Sequence, residues 1–246
     1  MKVTIITVCK NVETVIEKTI KSVIEQDFPY IEYIVIDGGS TDHTHSVILK
    51  YQSQINVIIQ ETDHSLYEAL NKGIKISSGD VIGFLHAGDI FNEIDTISTI
   101  VNEFKSNVEL DALFSNVVFI NDNNKPVRLI ESEKWNVNKF SIGLMPPHPS
   151  FYCKRLVYSQ SSLFSENYKI AADFELLIRL FKIQKINFKY LPKVTIRMKT
   201  GGISNRGIFS YFTKTNEIKR ALNENQIKSN YFLIFFRFLF KIKQYI

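Results

Sequence analysis

The sequence predicts an α/β protein with a doubly wound, mostly parallel sheet and helices on both faces. Strand-like and helix-like segments alternate from residue 1 to about 105, as they do in successive βαβ units. The apolar runs 33–36 and 81–85 lack polar alternation, which is typical of parallel strands buried on both faces. After residue 111 strand-like segments continue without the alternation, so we expect a less regular second half.

Local patterns place the individual elements. Runs of β-branched and aromatic residues predict strands at 3–8, 33–37, 55–59, 80–85, 112–120, 127–130 and 188–198. Apolar residues at helical spacing predict helices at 12–24, 44–51, 66–76, 174–183 and 209–222. The polar segment 121–124 predicts a hairpin, 135–149 is loop-rich, and the glycines at 201–202 predict a mobile loop.

Composition limits the class of protein. The 246 residues suffice for one sizeable domain, and contents of 45% hydrophobic and 22% charged residues exclude a disordered or collagen-like chain. Cys9 and Cys153 lie far apart, so neither a disulfide framework nor a CxxC metal site is indicated. The apolar start is too short for a signal peptide and no run reaches the length of a membrane span. A cytoplasmic location is therefore expected.

The net charge of +5 is concentrated at the C-terminus, where residues 206–246 hold eight Lys or Arg against two Glu. No recognised nucleic-acid module accompanies this charge, so we do not expect nucleic-acid binding. The aromatic and basic segment 231–246 favours peripheral membrane contact. The alternative left open is a helix that packs on the core or on a partner subunit, as in a homodimer.

Polar residues gather where the predicted strands end. Thr7, Asp37, Asp63 and the segment 86–89 all fall at the carboxyl ends of strands, which is where ligands bind in open α/β sheets. GxGxxG, GxxxxGK[ST] and HExxH motifs are absent. An acidic crevice that receives an anionic ligand needs a cation, and oxygen ligands favour Mg²⁺ or Mn²⁺.

Five motifs in fixed order carry a family resemblance. They are VIDGGSTD at 35–42, ETD at 61–63 with LYEALNKG at 66–73, GD at 79–80 with FLHAGD at 84–89, PH at 147–148, and IAADFELLIR at 170–179. With these motifs the sequence resembles the family 2 glycosyltransferases of GT-A fold, in particular the bacterial polysaccharide (colanic-acid-type) branch, over residues 3 to about 205. The resemblance implies a Rossmann-like GT-A domain at 1–205, with nucleotide-sugar binding in 1–120 and acceptor binding and the catalytic base in 121–205, followed by a helical tail at 206–246.

The resemblance also implies a nucleotide-sugar site. Its predicted contacts are Thr7, Asp37, Asp63, Asn71, Lys72, Ala87 and Gly88. Asp37 would accept the N–H of the base, and Asp63 would complete a uracil and ribose pocket. Many relatives have carboxylates where this chain has His86 and Gly88, so the resemblance implies Mn²⁺ or Mg²⁺ held by Asp89, the diphosphate and water.

Four further positions each leave two interpretations open. Asp173 aligns with the family's catalytic base, and the alternative is a helix N-cap. His86 and His148 could contact metal, diphosphate or acceptor, or could have packing roles. Arg179 could face the same region, or could pair with Glu175 four residues earlier.

The resemblance implies a single, inverting transfer of a sugar from a nucleotide-sugar, by resemblance a UDP-sugar, to a glycan or lipid-linked acceptor. It places this activity in surface polysaccharide biosynthesis, on the inner face of the cytoplasmic membrane. No QxxRW motif of processive enzymes follows Asp173. A sugar-phosphate nucleotidyltransferase would need a glycine-rich basic loop at 9–12, which is missing. A non-catalytic nucleotide-sugar-binding module stays open because of the altered motif at 86–89.

Overall fold

A mixed sheet of nine strands organises the part of the chain that the computed structural model describes, residues 1–200, 208–237 and 244. The strands are β1 Val3–Cys9, β2 Ile31–Asp37, β3 Val57–Gln60, β4 Val81–Phe84, β5 Ile90–Phe91, β6 Ala112–Ile120, β7 Pro126–Ile130, β8 Tyr152–Lys154 and β9 Phe188–Lys199. Their order is β3-β2-β1-β4-β8-β6-β9-β5, and β7 pairs with β6. The loop predicted at 201–202 lies outside the described residues.

The first half of the sheet has the predicted parallel arrangement. β1 pairs in parallel with β2 on one side and with β4 on the other, and β3 extends the sheet beyond β2. The chain therefore reverses its direction of travel across the sheet at β1, which makes the carboxyl ends of β1, β2 and β4 the topological switch point. The second half is mixed, because β8 is antiparallel to β4 and β6 while β9 is parallel to β6.

Eight helices accompany the sheet in the described residues. They are α1 Ile16–Ile24, α2 Thr44–Leu49, α3 Leu66–Ile76, α4 Thr96–Ser106, α5 Arg155–Ser159, α6 Ala172–Ile178, α7 Ile208–Glu224 and α8 Tyr231–Phe235. The helix predicted at 174–183 is not uniform, since α6 passes into a π-helical turn at Arg179–Ile183. The short strands β5 and β8 were not predicted.

Apolar helix faces cover the two sides of the sheet in separate clusters. One cluster joins α1, α2 and α4 to the sheet through residues such as Ile20, Ile48 and Ile100. The other joins α3, α6 and the C-terminal helices through residues such as Leu70 and Leu177. Both clusters consist of side chains withdrawn from water, so their burial is the main favourable contribution to folding.

The C-terminal helices are part of this second cluster. Ile218, Ala221 and Leu222 of α7 and Ile234 of α8 are fully buried in it. The predicted boundary at residues 205 and 206 therefore does not mark the end of the packed core, and the described part of the predicted tail follows the core-packing alternative. Within residues 1–200 and 208–237, no helix combines the length and the apolar character needed to span a bilayer.

At Gly83, β4 passes close to the buried ring of Tyr152 on β8, so we expect any side chain at residue 83 to destabilise the fold. A Cβ atom at residue 83 would lie 2.2 Å from Tyr152 Cε1 and 2.6 Å from Cδ1. We expect Gly83→Ala to lower the free energy of unfolding by about 1–3 kcal/mol through overpacking, measured by urea denaturation. Gly38→Ala is the control, since its added Cβ would lie no nearer than 3.6 Å to its neighbours. Wild-type stability of Gly83→Ala would contradict the prediction.

Candidate functional site

The loops that follow β1 and β2 are held together at the switch point. Cys9 and Asp37 pair at the carboxyl ends of the two strands. Beyond them, the backbone N–H of Gly38 donates to the carbonyl of Cys9 at 2.9 Å. Asn11 donates from its backbone N–H to Ser40 Oγ at 2.9 Å and accepts from the N–H of Thr41 at 2.8 Å. These bonds give the crevice a fixed wall before any ligand enters.

Asp37 presents an unused acceptor in this wall. Its side chain is fully buried, and Oδ1 accepts from the backbone N–H of Ser40 at 2.9 Å. Its Oδ2 lies 3.4 Å from His45 Nδ1, but neither atom has a hydrogen-bond partner among the described residues. A buried carboxylate oxygen without a donor is costly, so Asp37 is suited to accept an N–H from a ligand. Sequence patterns did not single out His45.

Three carboxylates gathered around Lys72, including that of Asp63, form a second wall of the crevice, which is acidic. Lys72 Nζ lies 2.5 Å from Asp63 Oδ1, 2.8 Å from Glu61 Oε1 and 3.4 Å from Glu68 Oε1. The hydrogen bonds to Asp63 and Glu61 raise the pKa of Lys72, which keeps it charged. Asp63 Oδ2 is buried without a partner. Lys72 thus positions Asp63, and its charge is already balanced by carboxylates rather than free for a phosphate.

Two of the residues predicted to contact the nucleotide use their side chains in hydrogen bonds within the protein. Asn71 uses both of its amide N–H groups, on the carbonyl of Phe164 at 2.9 Å and on Glu166 Oε1 at 3.0 Å. Thr7 Oγ1 donates to the carbonyl of Leu85 at 2.7 Å and accepts from the hydroxyl of Tyr33. The donors of both side chains are thus used within the protein, and a nucleotide would meet only their remaining oxygen lone pairs. Contact of Thr7 and Asn71 with a nucleotide stays a prediction.

A tight turn presents Asp89 at the end of β4. The backbone N–H of Asp89 donates to the carbonyl of His86 at 2.9 Å, and Gly88 has a φ of +97°, which favours glycine. Thr19 of α1 clamps the turn, because its Oγ1 accepts from the N–H of Gly88 and donates to the carbonyl of Asp89, both at 2.9 Å. Ala87 packs against the apolar cluster beneath. The sequence did not reveal Thr19, which reads as an ordinary helix residue.

The carboxylate of Asp89 has no compensating hydrogen bond or ion pair within the described residues. Its residue is only 6% exposed, and burial raises its pKa to about 8. Among residues 1–200 and 208–237 no donor bonds to its side chain, and no cluster of three or more His, Cys, Asp or Glu forms a metal site. One buried carboxylate fits a cation that takes its other ligands from a substrate or water.

Asp173 lies in the first turn of α6, with two histidines nearby. Ala171 is the N-cap of α6, so the N-cap alternative for Asp173 is wrong. The rings of His86 and His148 stack at 6.0 Å, and burial lowers the pKa of both to about 4, which keeps them neutral at pH 7. Burial raises the pKa of Asp173, and Lys214 of α7 and His86 oppose this.

His148 has the packing role that the sequence left open. Its ring stacks on Phe84 at 5.0 Å and meets Phe164 edge to face. Its Nε2 is buried without a partner among the described residues, so the ring also keeps one polar atom for a ligand. Tyr67 adjoins the same cluster: its hydroxyl accepts from the N–H of Ala172 at 3.2 Å, and burial followed by the charge of Asp173 raises its pKa.

Arg179 is committed to its own helix and the segment before it. Its guanidinium binds both carboxylate oxygens of Glu175, at 2.7 and 2.9 Å, and donates to the carbonyls of Ser162 and Leu163. This confirms the pairing alternative, with the difference that Glu175 is buried rather than on the surface. Four of the five N–H donors of the guanidinium are thus used within the protein, which leaves one N–H for any contact with a diphosphate or an acceptor.

Two curated glycosyltransferases are similar to this chain in sequence. The chain is 23% identical over 208 residues to a PGL/p-HBAD biosynthesis glycosyltransferase of Mycobacterium bovis, covering 83% of this chain and 79% of that protein. It is 29% identical over 184 residues to an uncharacterized glycosyltransferase of Mycobacterium tuberculosis, covering 72% and 68%.

Two solved structures have the same fold. The Staphylococcus aureus TarS fragment 1–349 in complex with UDP-GlcNAc matches with a TM-score of 0.68 and 19% identity, over 90% of this chain and 66% of that one. The Pyrobaculum calidifontis mannosyltransferase PcManGT in complex with GDP-Man and Mn²⁺ matches with a TM-score of 0.68 and 17% identity, over 93% and 65%. This chain thus spans slightly less than two thirds of either solved chain, and the likeness confirms the GT-A fold.

The family itself follows from the sequence comparison. The model of "Glycosyl transferase family 2" matches residues 4–163, which is more than half of the chain. The matched residues include β1, β2, β4 and the turn that carries Asp89. The chain therefore belongs to glycosyl transferase family 2.

Proposed function

We propose that the chain transfers a sugar from a UDP-sugar to a hydroxyl group of a glycan or lipid-linked saccharide, once per encounter and with inversion. The observation that carries the proposal is Asp173, a desolvated carboxylate in the first turn of α6 near His86, whose ring stacks on His148. Burial raises its pKa, which makes it a stronger base than an ordinary aspartate. A nucleotide-sugar donor is supported by the UDP-GlcNAc and GDP-Man bound to the two structural relatives.

In the proposed reaction Asp173 accepts the proton of an acceptor hydroxyl. The acceptor oxygen attacks the anomeric carbon of the donor as the bond from that carbon to the diphosphate oxygen breaks, and the nucleoside diphosphate leaves with both bonding electrons. A single displacement of this kind inverts the configuration at the anomeric carbon. At pH 7 His86 is neutral, because its pKa is about 4, so its charge opposes the raised pKa of Asp173 only in acid.

The donor's base and ribose are assigned to the acidic walls. Asp37 Oδ2 and Asp63 Oδ2 are buried acceptors without protein donors in the described residues. A uracil N–H and ribose hydroxyl groups would supply the missing donors, so the two oxygens fit the proposed UDP-sugar. Lys72 contributes by holding Asp63 in place.

We assign Asp89 as the protein's ligand for Mn²⁺ or Mg²⁺. Its buried, uncompensated carboxylate fits a cation, and Mn²⁺ accompanies GDP-Man in PcManGT. When bound, the ion supplies positive charge that offsets the negative charge of the departing diphosphate. Thr19 and Gly88 fix the turn that presents Asp89.

The acceptor is proposed to lie at the inner face of the cytoplasmic membrane, in surface polysaccharide assembly. Tyr231 and Phe232 of α8 are 56% and 69% exposed, and Phe212 of α7 is 60% exposed. With eight Lys or Arg in residues 206–246, these rings are suited to an anionic lipid surface. A homodimer contact through the same rings is the competing proposal.

The first test is release of nucleoside diphosphate from a panel of nucleotide-sugars, with water or a saccharide as acceptor. We expect release from a UDP-sugar in Mn²⁺ or Mg²⁺ but not in EDTA. Asp173→Asn should slow it by about 10²–10⁴-fold because the general base is lost, with UDP affinity by calorimetry within about twofold of wild type. Asp122→Asn, on an almost fully exposed carboxylate, is the control. UDP binding without any turnover would instead support a binding module.

The second test concerns the cost of burying Asp89. Its pKa is 3.8 when unperturbed and about 8 in the fold, so above pH 4 the unfolded chain ionises and the folded carboxyl does not. This destabilises the metal-free fold progressively from pH 4 to about 8, on the order of 4 kcal/mol at pH 7. We expect Asp89→Asn in EDTA to raise Tm at pH 7 by about 8–16 °C, at about 2–4 °C per kcal/mol for a chain of this length, and to change it little at pH 4.

The control for the second test is again Asp122→Asn, which should leave Tm unchanged at both pH values. An Asp89→Asn difference of the same size at pH 4 and pH 7 would contradict the ionisation argument. Activity of Asp89→Asn equal to that of wild type would contradict the metal assignment.

The third test concerns the aromatic rings of α8. We expect the double variant Tyr231→Ser and Phe232→Ser to bind vesicles of phosphatidylglycerol and phosphatidylcholine about tenfold more weakly, since two exposed rings leave the lipid interface. Cosedimentation measures the binding. Ile94→Ser is the control, because Ile94 is equally exposed but lies beside α4. No vesicle binding by the wild-type chain, with a dimer that the double variant dissociates, would support the subunit interface instead.

A further inference from the structure

The helix that carries Asp173 has no N-capping side chain of its own. Its N-cap residue is Ala171, which makes no side-chain hydrogen bond. The backbone N–H groups around the first turn of a helix have no partner within the helix. Because Asp173 lies in this turn, whatever satisfies these N–H groups also fixes the position of Asp173.

A single carboxylate from α7 binds the N–H of the N-cap residue Ala171 and the two backbone N–H groups before it. Glu217 accepts from the backbone N–H of Lys169 at 2.7 Å, and from those of Ile170 and Ala171 at 2.9 Å each. Glu217 is only 8% exposed. The next N–H, that of Ala172, donates to the hydroxyl of Tyr67. Four consecutive N–H groups leading to Asp173 are thus held by side chains from two other helices.

The same helix brings a positive charge to the base. Lys214 lies one turn before Glu217 on α7, and its charge lowers the pKa of Asp173 against the effect of burial. The carboxylate of Glu217 binds the backbone before Asp173, and the charge of Lys214 is close enough to the carboxylate of Asp173 to lower its pKa. Both groups lie beyond residues 4–163, which the family model matches.

We propose that Glu217 is a positioning residue for Asp173, and that α7 is therefore a working part of the active site rather than an appendage. The inference rests on the proposed function of Asp173 as the base. Glu217 does not contact the reacting atoms. It acts by fixing residues 169–171, and a base displaced by about 1 Å loses on the order of 10²-fold in rate.

The alternative is that Glu217 only anchors α7 to the domain. That anchoring does not depend on Glu217, because Ile218, Ala221 and Leu222 bury their side chains in the core next to it. Removing the charge of Glu217 should therefore leave α7 in place and loosen the entrance to α6. This difference makes the proposal testable.

The experiment compares Glu217→Gln with wild type in UDP release from the UDP-sugar that the enzyme uses. A neutral amide accepts more weakly and turns an NH₂ group towards the same backbone donors. We expect kcat to fall about 10- to 100-fold, with the Kd for UDP within twofold and Tm within a few degrees. Glu217→Asp keeps the charge and should lose less, and it serves if Glu217→Gln does not fold.

The matched control is Glu224→Gln on the same helix. Glu224 accepts from the hydroxyl of Tyr168 and lies near Arg220, but it binds no backbone group of residues 169–172, so its kcat should stay within twofold of wild type. An equal fall in kcat in the two variants would overturn the proposal, as would unchanged kcat in Glu217→Gln. A parallel loss of kcat, UDP affinity and Tm would show a merely structural role.

Asp173→Asn separates this inference from the function on which it rests. If Asp173→Asn is inactive while Glu217→Gln has wild-type kcat, the inference fails and the base assignment stands. If Asp173→Asn keeps wild-type turnover, the base assignment itself fails. If both hold, the double variant should be no slower than Asp173→Asn alone, because the two residues act through one group.

Discussion

The arrangement of the site depends on the burial of carboxylates at the carboxyl edge of the sheet. Asp37 is fully buried and Asp89 nearly so, while Asp173 keeps some surface but is desolvated by the protein around it. Unpaired charge in such surroundings opposes folding. The two apolar clusters on either side of the sheet offset that cost. A ligand that supplied N–H groups and a cation would remove part of this cost of burial. The free energy that is lost in folding would then add to the affinity for the ligand.

Remote side chains, rather than neighbours in sequence, hold these carboxylates in place. Thr19 on α1 fixes the turn of Asp89, Lys72 on α3 fixes Asp63, and Glu217 on α7 fixes the backbone before Asp173. Each contact comes from a helix that is itself anchored by apolar burial. The site is therefore as rigid as the packing of its helices, which is what positioned groups at an active site require.

The sequence predicted those features that are determined locally. The helix at Leu66–Ile76 has the predicted bounds, because its apolar spacing is regular and Ser65 caps it by accepting from the N–H of Glu68. The four strands β1 to β4 and the ligand crevice at their carboxyl ends were also predicted from local sequence patterns. Strands β5 and β8 did not, because two or three residues carry no periodicity and their pairing is set by partners far away in sequence. The hydrogen bonds from Asn71 to residues 164 and 166, and the bonds from the backbone before α6 to Glu217 of α7, were not predicted for the same reason.

The altered motif at 86–89 has an electrostatic consequence. A second carboxylate at residue 86 would add another buried negative charge beside Asp89 and raise the cost of folding further. His86 avoids that cost, since burial lowers its pKa to about 4 and keeps the ring neutral. If Asp89 is the metal ligand, as proposed, the protein would offer a cation one charge instead of two, and the diphosphate would have to supply the rest. His86 would then shift metal affinity from the free protein to its complex with the donor, and metal and nucleotide-sugar would enter the site together.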